Sequence, residues 1–284
     1  MTKVIRVAGV QMDSKLFDKA RNLETAVLRL KDAAKQGANL VVFPECALTG
    51  YCFASLEEAM PYGEPIPGPS SEALAAECRK LGVYAVAGLL ERDGDRLFNA
   101  VVLVGPEGVI GSYRKVHLPY LGVDRFVTPG DKPFRVYDTG AGKIGLQICY
   151  DLSFPESSRV MALAGAELLV LSTNWPERRE KIAAYYPNTR AMENRVHFMA
   201  IDRVGHERKF QFIGRSKIVD CFGNTVAEAS PDKEETIYAD LDLSLARDKK
   251  FVFIPGEFET DTFADRRPQF YGPIVGEHER VSGA

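Results

Sequence analysis

The apolar positions of the first 43 residues change period twice, and they predict a strand, a helix and a second strand. Residues 4–10 form an apolar, β-branched run that is typical of a buried strand. The next apolar side chains recur at helical spacing and define one face of a helix, with Asp18 as its cap and Gly37 after its end. The positions on that face are Leu23, Val27, Leu30 and Ala34. Residues 40–43 then predict a strand parallel to the first, since the crossover between them is helical.

A second strand–helix–strand unit follows about halfway along the chain. Residues 143–148 and 168–171 predict the two strands, and the segment 153–156 (SFPE) resembles a capping box that opens the helix between them. Short segments of the two units also resemble each other, GVQ from Gly9 and GLQ from Gly145. This similarity suggests internal pseudo-symmetry.

The remaining pattern predicts further elements around these two units. The predicted strands are residues 83–89, 97–104, 109–115, 197–203, 212–219, 225–229 and 236–240. Helices are predicted over 71–81 and over 177–195, the second interrupted by Pro187. A long connection over 116–133 is typical of a functional loop. We find no linker, and we expect a single domain over residues 1–275 and a disordered tail over 276–284.

Charge and composition exclude several classes of protein. The 284 residues carry 36 Lys and Arg against 39 Asp and Glu, a net charge of −3, which argues against a general nucleic-acid binder. Apolar runs stay far below the about 20 residues that span a bilayer, and the N-terminus lacks a signal pattern. We therefore expect a cytoplasmic protein without membrane contact. Five scattered cysteines without a CxxC pair argue against a disulfide framework or a zinc site, and we expect no metal and no cofactor.

Three chemically reactive residue types follow predicted strands, where α/β proteins often place ligand sites. These are Glu45, Lys115 and Cys149. Taken singly, each has an ordinary explanation: a solvated carboxylate, a surface ammonium and a small packing group. Taken together, a carboxylate that moves protons, an ammonium that stabilises an oxyanion and a thiol nucleophile suffice for acyl transfer through a thioester.

The segments around these residues carry a family resemblance. They read VFPE at 42–45, YRKVHLP at 113–119 and CYD at 149–151, with further matches TNWP at 173–176 and RAMEN at 190–194. In order and in interval (70 residues from position 45 to 115, and 34 from 115 to 149), they resemble the signature segments of the nitrilase superfamily of carbon–nitrogen hydrolases. The resemblance covers nearly all of residues 4–245.

The resemblance implies a fold and a set of roles. The fold would be a four-layer α-β-β-α sandwich of the α/β class, built from two pseudo-symmetric halves. Glu45 would be the general base, Lys115 the oxyanion stabiliser and Cys149 the nucleophile, with the backbone N–H of Tyr150 as a second oxyanion donor. Family members are commonly homodimers or larger homo-oligomers, so the same assembly is expected here.

Many family members carry a second active-site glutamate shortly after the lysine. Residues 116–133 contain no glutamate, so we take Asp124 as the candidate substitute. The alternative is that Asp124 pairs with Arg125 or with another surface cation.

The residues around the nucleophile indicate the branch of the family. True nitrilases usually read Cys-Trp-Glu, whereas Cys149–Asp151 reads Cys-Tyr-Asp, as in amidases and carbamoylases. Carbamoyl-amino-acid hydrolases tend to place an arginine four or five residues after the cysteine, where this chain has Ser153 and Phe154. A small aliphatic or ω-amino amide, hydrolysed with water, is therefore the first choice of substrate. The candidate pocket residues, which could instead only pack or cap a loop, are Tyr51, Asn174 and Trp175.

Three alternatives remain at this point. The same three residues could serve an N-carbamoyl amine hydrolase or a nitrilase. An unrelated Cys–His hydrolase would need His117 close to Cys149. A catalytically inactive binding protein would retain the residues without turnover.

Overall fold

The computed structural model describes residues 3–277, which form two compact units. One unit extends to Arg247 and the other begins at Asp248. A single domain over residues 1–275 remains a prediction, and residues 278–284 of the predicted tail lie outside the described part of the chain.

The first unit contains most of the secondary structure. The strands of the described chain are β1 (Val4–Gln11), β2 (Leu40–Val42), β3 (Tyr84–Asp93), β4 (Arg96–Gly105), β5 (Gly108–Arg114), β6 (Val136–Thr139), β7 (Gly142–Ile148), β8 (Leu168–Ser172), β9 (His197–Ile201), β10 (His206–Glu207), β11 (Phe210–Gln211), β12 (Lys217–Val219), β13 (Thr225–Glu228), β14 (Glu235–Asp242), β15 (Lys250–Ile254) and β16 (Phe258–Asp261). The α-helices are α1 (Lys19–Lys35), α2 (Leu56–Ala59), α3 (Pro69–Leu81), α4 (Pro155–Leu163), α5 (Glu180–Asn194) and α6 (Gly272–Val275).

Two six-stranded sheets repeat one topology. The first has the order β14-β1-β2-β3-β4-β5 and the second β6-β7-β8-β9-β12-β13. In each, a parallel trio (β1-β2-β3 or β7-β8-β9) is flanked by antiparallel strands, one on one side and two on the other. The predicted α-β-β-α sandwich with two pseudo-symmetric halves is confirmed.

The two sheets lie close together at their centre. The Ser172 hydroxyl at the end of β8 donates to the Phe43 carbonyl beyond β2 at 2.7 Å. A Cβ on Gly9 would lie 2.3 Å from Cδ1 of Ile201, so β1 and the side chains of β9 approach closely at this glycine. Helices α1 and α3 pack on the outer face of the first sheet, and α4 and α5 contact the second.

The predicted cap of α1 is present, whereas the predicted capping box of α4 is not. Asp18 caps α1 by accepting from Arg21 N at 3.1 Å, and Gly37 has φ +83° beyond the helix end. The predicted capping box at 153–156 is wrong, because Ser153 ends a 3₁₀ turn over Cys149–Ser153 and Phe154 takes the cap position without a side-chain bond.

The second unit is small. Strands β15 and β16 pair as an antiparallel hairpin, in which the rings of Phe253 and Phe258 stack with centroids 4.4 Å apart.

Across residues 3–277, the helices are too short or too polar for any of them to cross a bilayer.

Candidate active site

Three strand ends carry the predicted reactive side chains into the interior. Glu45 lies in the turn after β2, Lys115 follows the last residue of β5, and Cys149 follows the last residue of β7. The side chains of Glu45 and Lys115 are fully buried, and Cys149 is 6% exposed. Burial of charged groups is costly, so these two side chains have a role other than keeping the surface soluble.

Lys115 binds two carboxylates. Its Nζ lies 2.6 Å from Oε1 of Glu45 and 2.5 Å from Oδ2 of Asp124. Asp124 therefore lies in the cluster and is fully buried with Lys115, whereas the exposed Arg125 donates to backbone carbonyls. The alternative pairing of Asp124 with Arg125 is not what the structure has.

Asn99 joins the same cluster, and sequence analysis missed it. Its Nδ2 donates to Oε1 of Glu45 at 2.7 Å and to Oδ1 of Asp124 at 2.8 Å, while its backbone carbonyl accepts from the backbone N–H of Lys115 at 2.8 Å. A signal was present, since this asparagine interrupts the apolar run of β4 in the middle of a buried sheet. A buried amide in such a run needs partners, and here they are the two carboxylates.

Tyr51 is hydrogen-bonded to Asp124. Its hydroxyl donates to Oδ2 of Asp124 at 2.8 Å, and the Lys115 ammonium lies 5.9 Å from the ring centroid. The carboxylate of Glu207, also missed from sequence, accepts the backbone N–H groups of Tyr51 and Cys52 at 2.9 and 2.5 Å. The loop that carries Tyr51 is thereby fixed by a buried side chain about 155 positions away in sequence.

The turn at Cys149 is a strained strand-to-helix junction. Cys149 has φ +42°, a left-handed conformation that is uncommon for a residue other than glycine and is often found at functional sites. Asp151 stabilises the turn, since its carboxylate accepts from Ile148 N and from the Tyr113 hydroxyl, both at 2.9 Å. The ring of His117 also binds Asp151, with Nδ1 2.7 Å from Oδ1, so this histidine holds the turn that follows the thiol.

Glu45 is poised to exchange a proton. Burial raises its pKa to about 7, and the negative charge of Asp124 acts in the same direction while Lys115 and Asn99 oppose it. Oε1 is occupied by Lys115 and Asn99, but Oε2 has no hydrogen-bond partner among the described residues. One carboxylate oxygen is therefore available to accept a proton.

The thiol of Cys149 is neutral at rest. Burial and the charge of Glu45 raise its pKa to about 12, against the lowering effect of the Lys115 charge. One ammonium already faces two carboxylates, so a thiolate would add a third negative charge. Transfer of the thiol proton to Glu45 avoids that extra charge.

The ammonium of Lys115 stays charged in this setting. Burial alone would lower its pKa, but the charges of Asp124 and Glu45 outweigh burial and raise the pKa well above its usual value. A permanent cation next to a thiol suits the stabilisation of an oxyanion.

A narrow cavity opens at Cys149. Tyr150, Ser153 and Trp175 line it together with the thiol, so three of the predicted site residues, Cys149, Tyr150 and Trp175, lie at this opening. Asn174 is buried and is not one of the residues that line this cavity, and both its side-chain amide atoms lack a hydrogen-bond partner among the described residues. Within residues 3–277, no three His, Cys, Asp or Glu side chains are grouped as metal ligands.

Comparisons with known proteins agree with this geometry. The carbon-nitrogen hydrolase family model matches residues 6–251. A nitrilase of Pyrococcus abyssi is 41% identical over 272 residues, which cover 94% of this chain and 99% of that protein. The omega-amidase NIT2 of Danio rerio is 33% identical over 261 residues, covering 86% and 90%.

Solved structures share the fold. A carbon-nitrogen hydrolase from Helicobacter pylori G27 superposes with a TM-score of 0.84 at 26% identity, covering 96% of this chain and 99% of that one. Nit3 of Saccharomyces cerevisiae, a member of branch 10 of the nitrilase superfamily, superposes with a TM-score of 0.77 at 29% identity, covering 86% and 92%.

Proposed function

Because this chain belongs to the carbon–nitrogen hydrolase family, we propose that it hydrolyses a small linear amide through a thioester on Cys149. The observation that carries the proposal is the buried cluster in which Lys115 binds Glu45 and Asp124 while Oε2 of Glu45 stays unpaired. A buried carboxylate oxygen without a partner is uncommon in a cluster built only for stability.

Acylation is the first half of the reaction. Glu45 takes the thiol proton of Cys149, and the sulfur attacks the amide carbon to give a tetrahedral oxyanion. The Lys115 ammonium and the backbone N–H of Tyr150 stabilise that negative charge. Glu45 then passes its proton to the leaving nitrogen, so the C–N bond breaks, ammonia departs and the acyl group remains on sulfur.

Deacylation uses one water molecule. Glu45, again a carboxylate, takes a proton from water, and the resulting hydroxide attacks the thioester carbonyl. The C–S bond breaks, a carboxylic acid leaves, and the proton on Glu45 returns to the sulfur of Cys149. The net reaction consumes one water and one amide.

Asp124 takes the place of the second glutamate in this scheme. Its carboxylate accepts from Lys115, Asn99 and Tyr51 at 2.5 to 2.8 Å, so its oxygens are occupied by the residues that position the ammonium. We assign it the role of holding Lys115 charged and in place rather than that of a proton carrier.

The substrate class follows from the sequence and the relatives. The residues that follow Cys149 in the sequence favour an aliphatic or ω-amino amide as the substrate, and the name omega-amidase of one relative supports an amide. The name nitrilase of another relative favours a second candidate, the hydrolysis of a nitrile on the same three side chains. A carbamoyl amine remains the third option.

Trapping the acyl group tests the proposal. The protein is mixed with a panel of short amides, nitriles and carbamoyl amines, quenched in acid and digested, and the peptide that contains Cys149 is examined by mass spectrometry. We expect an acyl adduct on that peptide and release of ammonia. Cys149→Ala should lose both, while Cys78→Ala, which removes a buried thiol of the first-sheet core, should retain both.

Two results would contradict the proposal. Turnover that survives in Cys149→Ala would remove the thioester from the mechanism. No turnover with any class of substrate, together with a thiol that reacts with iodoacetamide at the rate of a free peptide cysteine, would favour a binding protein. The substrate that turns over separates nitrile from amide hydrolysis, because both give a carboxylic acid and ammonia, whereas a carbamoyl amine gives an amine, carbon dioxide and ammonia.

We also propose a cytoplasmic location and a homodimer or larger assembly. All five cysteines are free and buried, as is usual in a reducing compartment. Light scattering of the purified protein measures the assembly, and a monomer at micromolar concentration would contradict it.

A further inference from the structure

Asn99 contacts the cluster around Lys115 from a strand rather than from a loop. It lies within β4, where it pairs with Leu90 of β3, and its backbone carbonyl accepts the backbone N–H of Lys115. Its side-chain amide donates one N–H to Glu45 and the other to Asp124, at 2.7 and 2.8 Å. One position of the first sheet is therefore bonded both to the strand end that carries the cation and to the two carboxylates.

The side-chain amide of Asn99 has one favourable orientation. Its Oδ1 lies 3.6 Å from Sγ of Cys46, whose thiol donates to it. Burial raises the pKa of Cys46 well above its ordinary value, so this thiol keeps its proton and remains a donor. An amide turned over would face Oδ1 toward two carboxylates and would lose both N–H donors there. The cysteine and the carboxylates thus specify the same orientation from opposite ends of the amide.

This amide makes the two oxygens of Glu45 unequal. Oε1 accepts from Lys115 Nζ at 2.6 Å and from Asn99 Nδ2 at 2.7 Å, whereas Oε2 has no partner among residues 3–277. An oxygen that accepts two N–H groups has both lone pairs engaged, so a hydrogen of its own would displace one of them. A proton taken up by Glu45 is therefore directed to Oε2.

Lys115 alone would not enforce this difference. Its ammonium carries three rotatable donors on a flexible stem, so it can turn toward either oxygen of Glu45 while it stays bound to Asp124. The amide of Asn99 is planar and is held at both ends, so it cannot follow such a movement. The distinction between Oε1 and Oε2 therefore depends on the amide.

We propose that Asn99 is a positioning residue that directs the thiol proton of Cys149 to Oε2 of Glu45, and that Cys46 holds its amide in place. The inference rests on the proposed thioester mechanism and specifies its first proton transfer. The S–H bond breaks, an Oε2–H bond forms, and Oε1 becomes the carbonyl oxygen of a neutral carboxyl that still accepts two N–H groups. Asn99 itself keeps its hydrogens throughout.

Infrared spectroscopy of the Glu45 carboxyl tests the selection without turnover. The Cys149→Ala protein is measured below the Glu45 pKa of about 7, and the C=O band is assigned by subtracting the spectrum of the same protein with Glu45→Gln. With the proton on Oε2, the carbonyl oxygen is Oε1, and its two hydrogen bonds place the band at low frequency. With the proton on Oε1, the carbonyl oxygen is the unpaired Oε2, and the band lies at the high frequency of a free carboxyl.

Two buried asparagines give a variant and its matched control. Asn99→Leu removes the amide at similar volume, and the band should move to higher frequency because Oε1 then accepts from Lys115 alone. Asn22, like Asn99, is 1% exposed, but its amide pairs with the backbone of Lys15 at 2.7 Å. Asn22→Leu should destabilise the fold and leave the band unchanged.

Kinetics of the same two variants measure the consequence for the reaction. Asn99→Leu should lower kcat about 10- to 100-fold, the usual range for a hydrogen bond to a charged group, with KM within about twofold. The acidic limb of kcat/KM should move to higher pH, because the N–H of Asn99 stabilises the carboxylate and lowers the pKa of Glu45. Asn22→Leu should change neither quantity.

The titratable groups around Glu45 are the same in the unaltered protein and in Asn99→Leu, so a shift of the limb reports the lost amide. These groups are Lys115, Asp124, Cys46, Tyr51, Cys149 and Asp202.

Variants of Cys46 test how the amide is held. Cys46→Ser keeps a hydrogen-bond donor and should leave kcat within about twofold and the band in place. Cys46→Ala allows the amide to turn over, so both readouts should change in the direction of Asn99→Leu. The change should be smaller, since a thiol is a weak donor.

The two readouts separate this inference from the proposed function. A low-frequency band that rises in Asn99→Leu and not in Asn22→Leu supports the selection even if no thioester forms on Cys149. A band at the free-carboxyl frequency in the Cys149→Ala protein overturns it, even if Asn99→Leu fails to fold. An unshifted acidic limb in folded Asn99→Leu protein overturns it as well.

Discussion

Arg114 and Lys115 are consecutive in the chain but belong to two different kinds of charge cluster. Arg114 donates through Nε and Nη2 to the two oxygens of Glu91 and through Nη1 to Asp131, so its guanidinium is fully engaged. Lys115 turns to the opposite side of the strand end and binds Glu45 and Asp124, yet Oε2 of Glu45 has no partner among the described residues.

Access to water separates the two clusters. Asp93 and Asp131 beside Arg114 are 49% and 38% exposed, although Glu91 is only 6% exposed, whereas the carboxylates beside Lys115 are completely buried. The hydrogen bond from Arg114 lowers the pKa of Asp93, but burial raises the pKa of Glu45 despite its cation. The partly solvated Arg114 cluster is thus a structural ion pair, whereas the fully buried Lys115 cluster contains a carboxylate that can accept a proton.

The largest expected effect comes from Glu45→Gln. The amide keeps the shape of the side chain but cannot take the thiol proton, so kcat/KM should fall by ~10²–10⁴, the usual contribution of a general base. Steady-state kinetics with an amide substrate measures it. Glu91→Gln in the Arg114 cluster is the matched control and should leave kcat/KM per folded molecule within about threefold. A similar loss of rate in both variants would erase the distinction between the clusters.

Both cations bind buried carboxylates, so removal of either should destabilise the fold, but only removal of Lys115 should lower kcat. Lys115→Ala should lower kcat by ~10²–10³, since an oxyanion donor is lost. Arg114→Ala should lower the free energy of unfolding by about 3 kcal/mol, because Glu91 is left buried without its partner, while kcat is retained. Urea unfolding and kinetics on both variants provide the comparison, and full activity in Lys115→Ala would refute its assigned role.

The pH dependence of Glu45 should show in both rate and stability. Its carboxylate is the active form, so kcat/KM should fall about tenfold for each pH unit below about 7. Since the folded pKa lies above the value of 4.5 for an unperturbed glutamate, the folded state binds more protons between these values, and stability should decrease as pH rises through that window. Glu45→Gln should lose both trends; if the acidic limb of kcat/KM persists in this variant, another group sets it.

Local and long-range contacts differ in how well the sequence could predict them. Apolar runs located the strand ends, and therefore the positions of Glu45, Lys115 and Cys149, because alternation and turn residues act locally. Asn99 and Glu207 were not predicted, since Asn99 lies 54 positions from Glu45 and Glu207 lies 155 positions from Cys52, and only the tertiary fold brings each pair together. Ser153 failed as a helix cap for a related reason, since the strained turn at Cys149 continues through it.

The smallest expected effects come from the aromatic side chains that support each cluster. Tyr51→Phe removes the hydroxyl that donates to Asp124, and a lost hydrogen bond of about 1 kcal/mol should lower kcat about fivefold with little change in KM. If Tyr51 contacted the substrate instead, as the sequence suggested, KM would rise and kcat would stay. Phe98, whose ring lies 3.9 Å from the Arg114 guanidinium carbon, is the counterpart, and Phe98→Leu should lower the unfolding midpoint without changing kcat. A kcat loss in Phe98→Leu as large as in Tyr51→Phe would mean that the rate depends on general packing around the strand end, and solvent access would no longer distinguish the reactive cluster from the structural one.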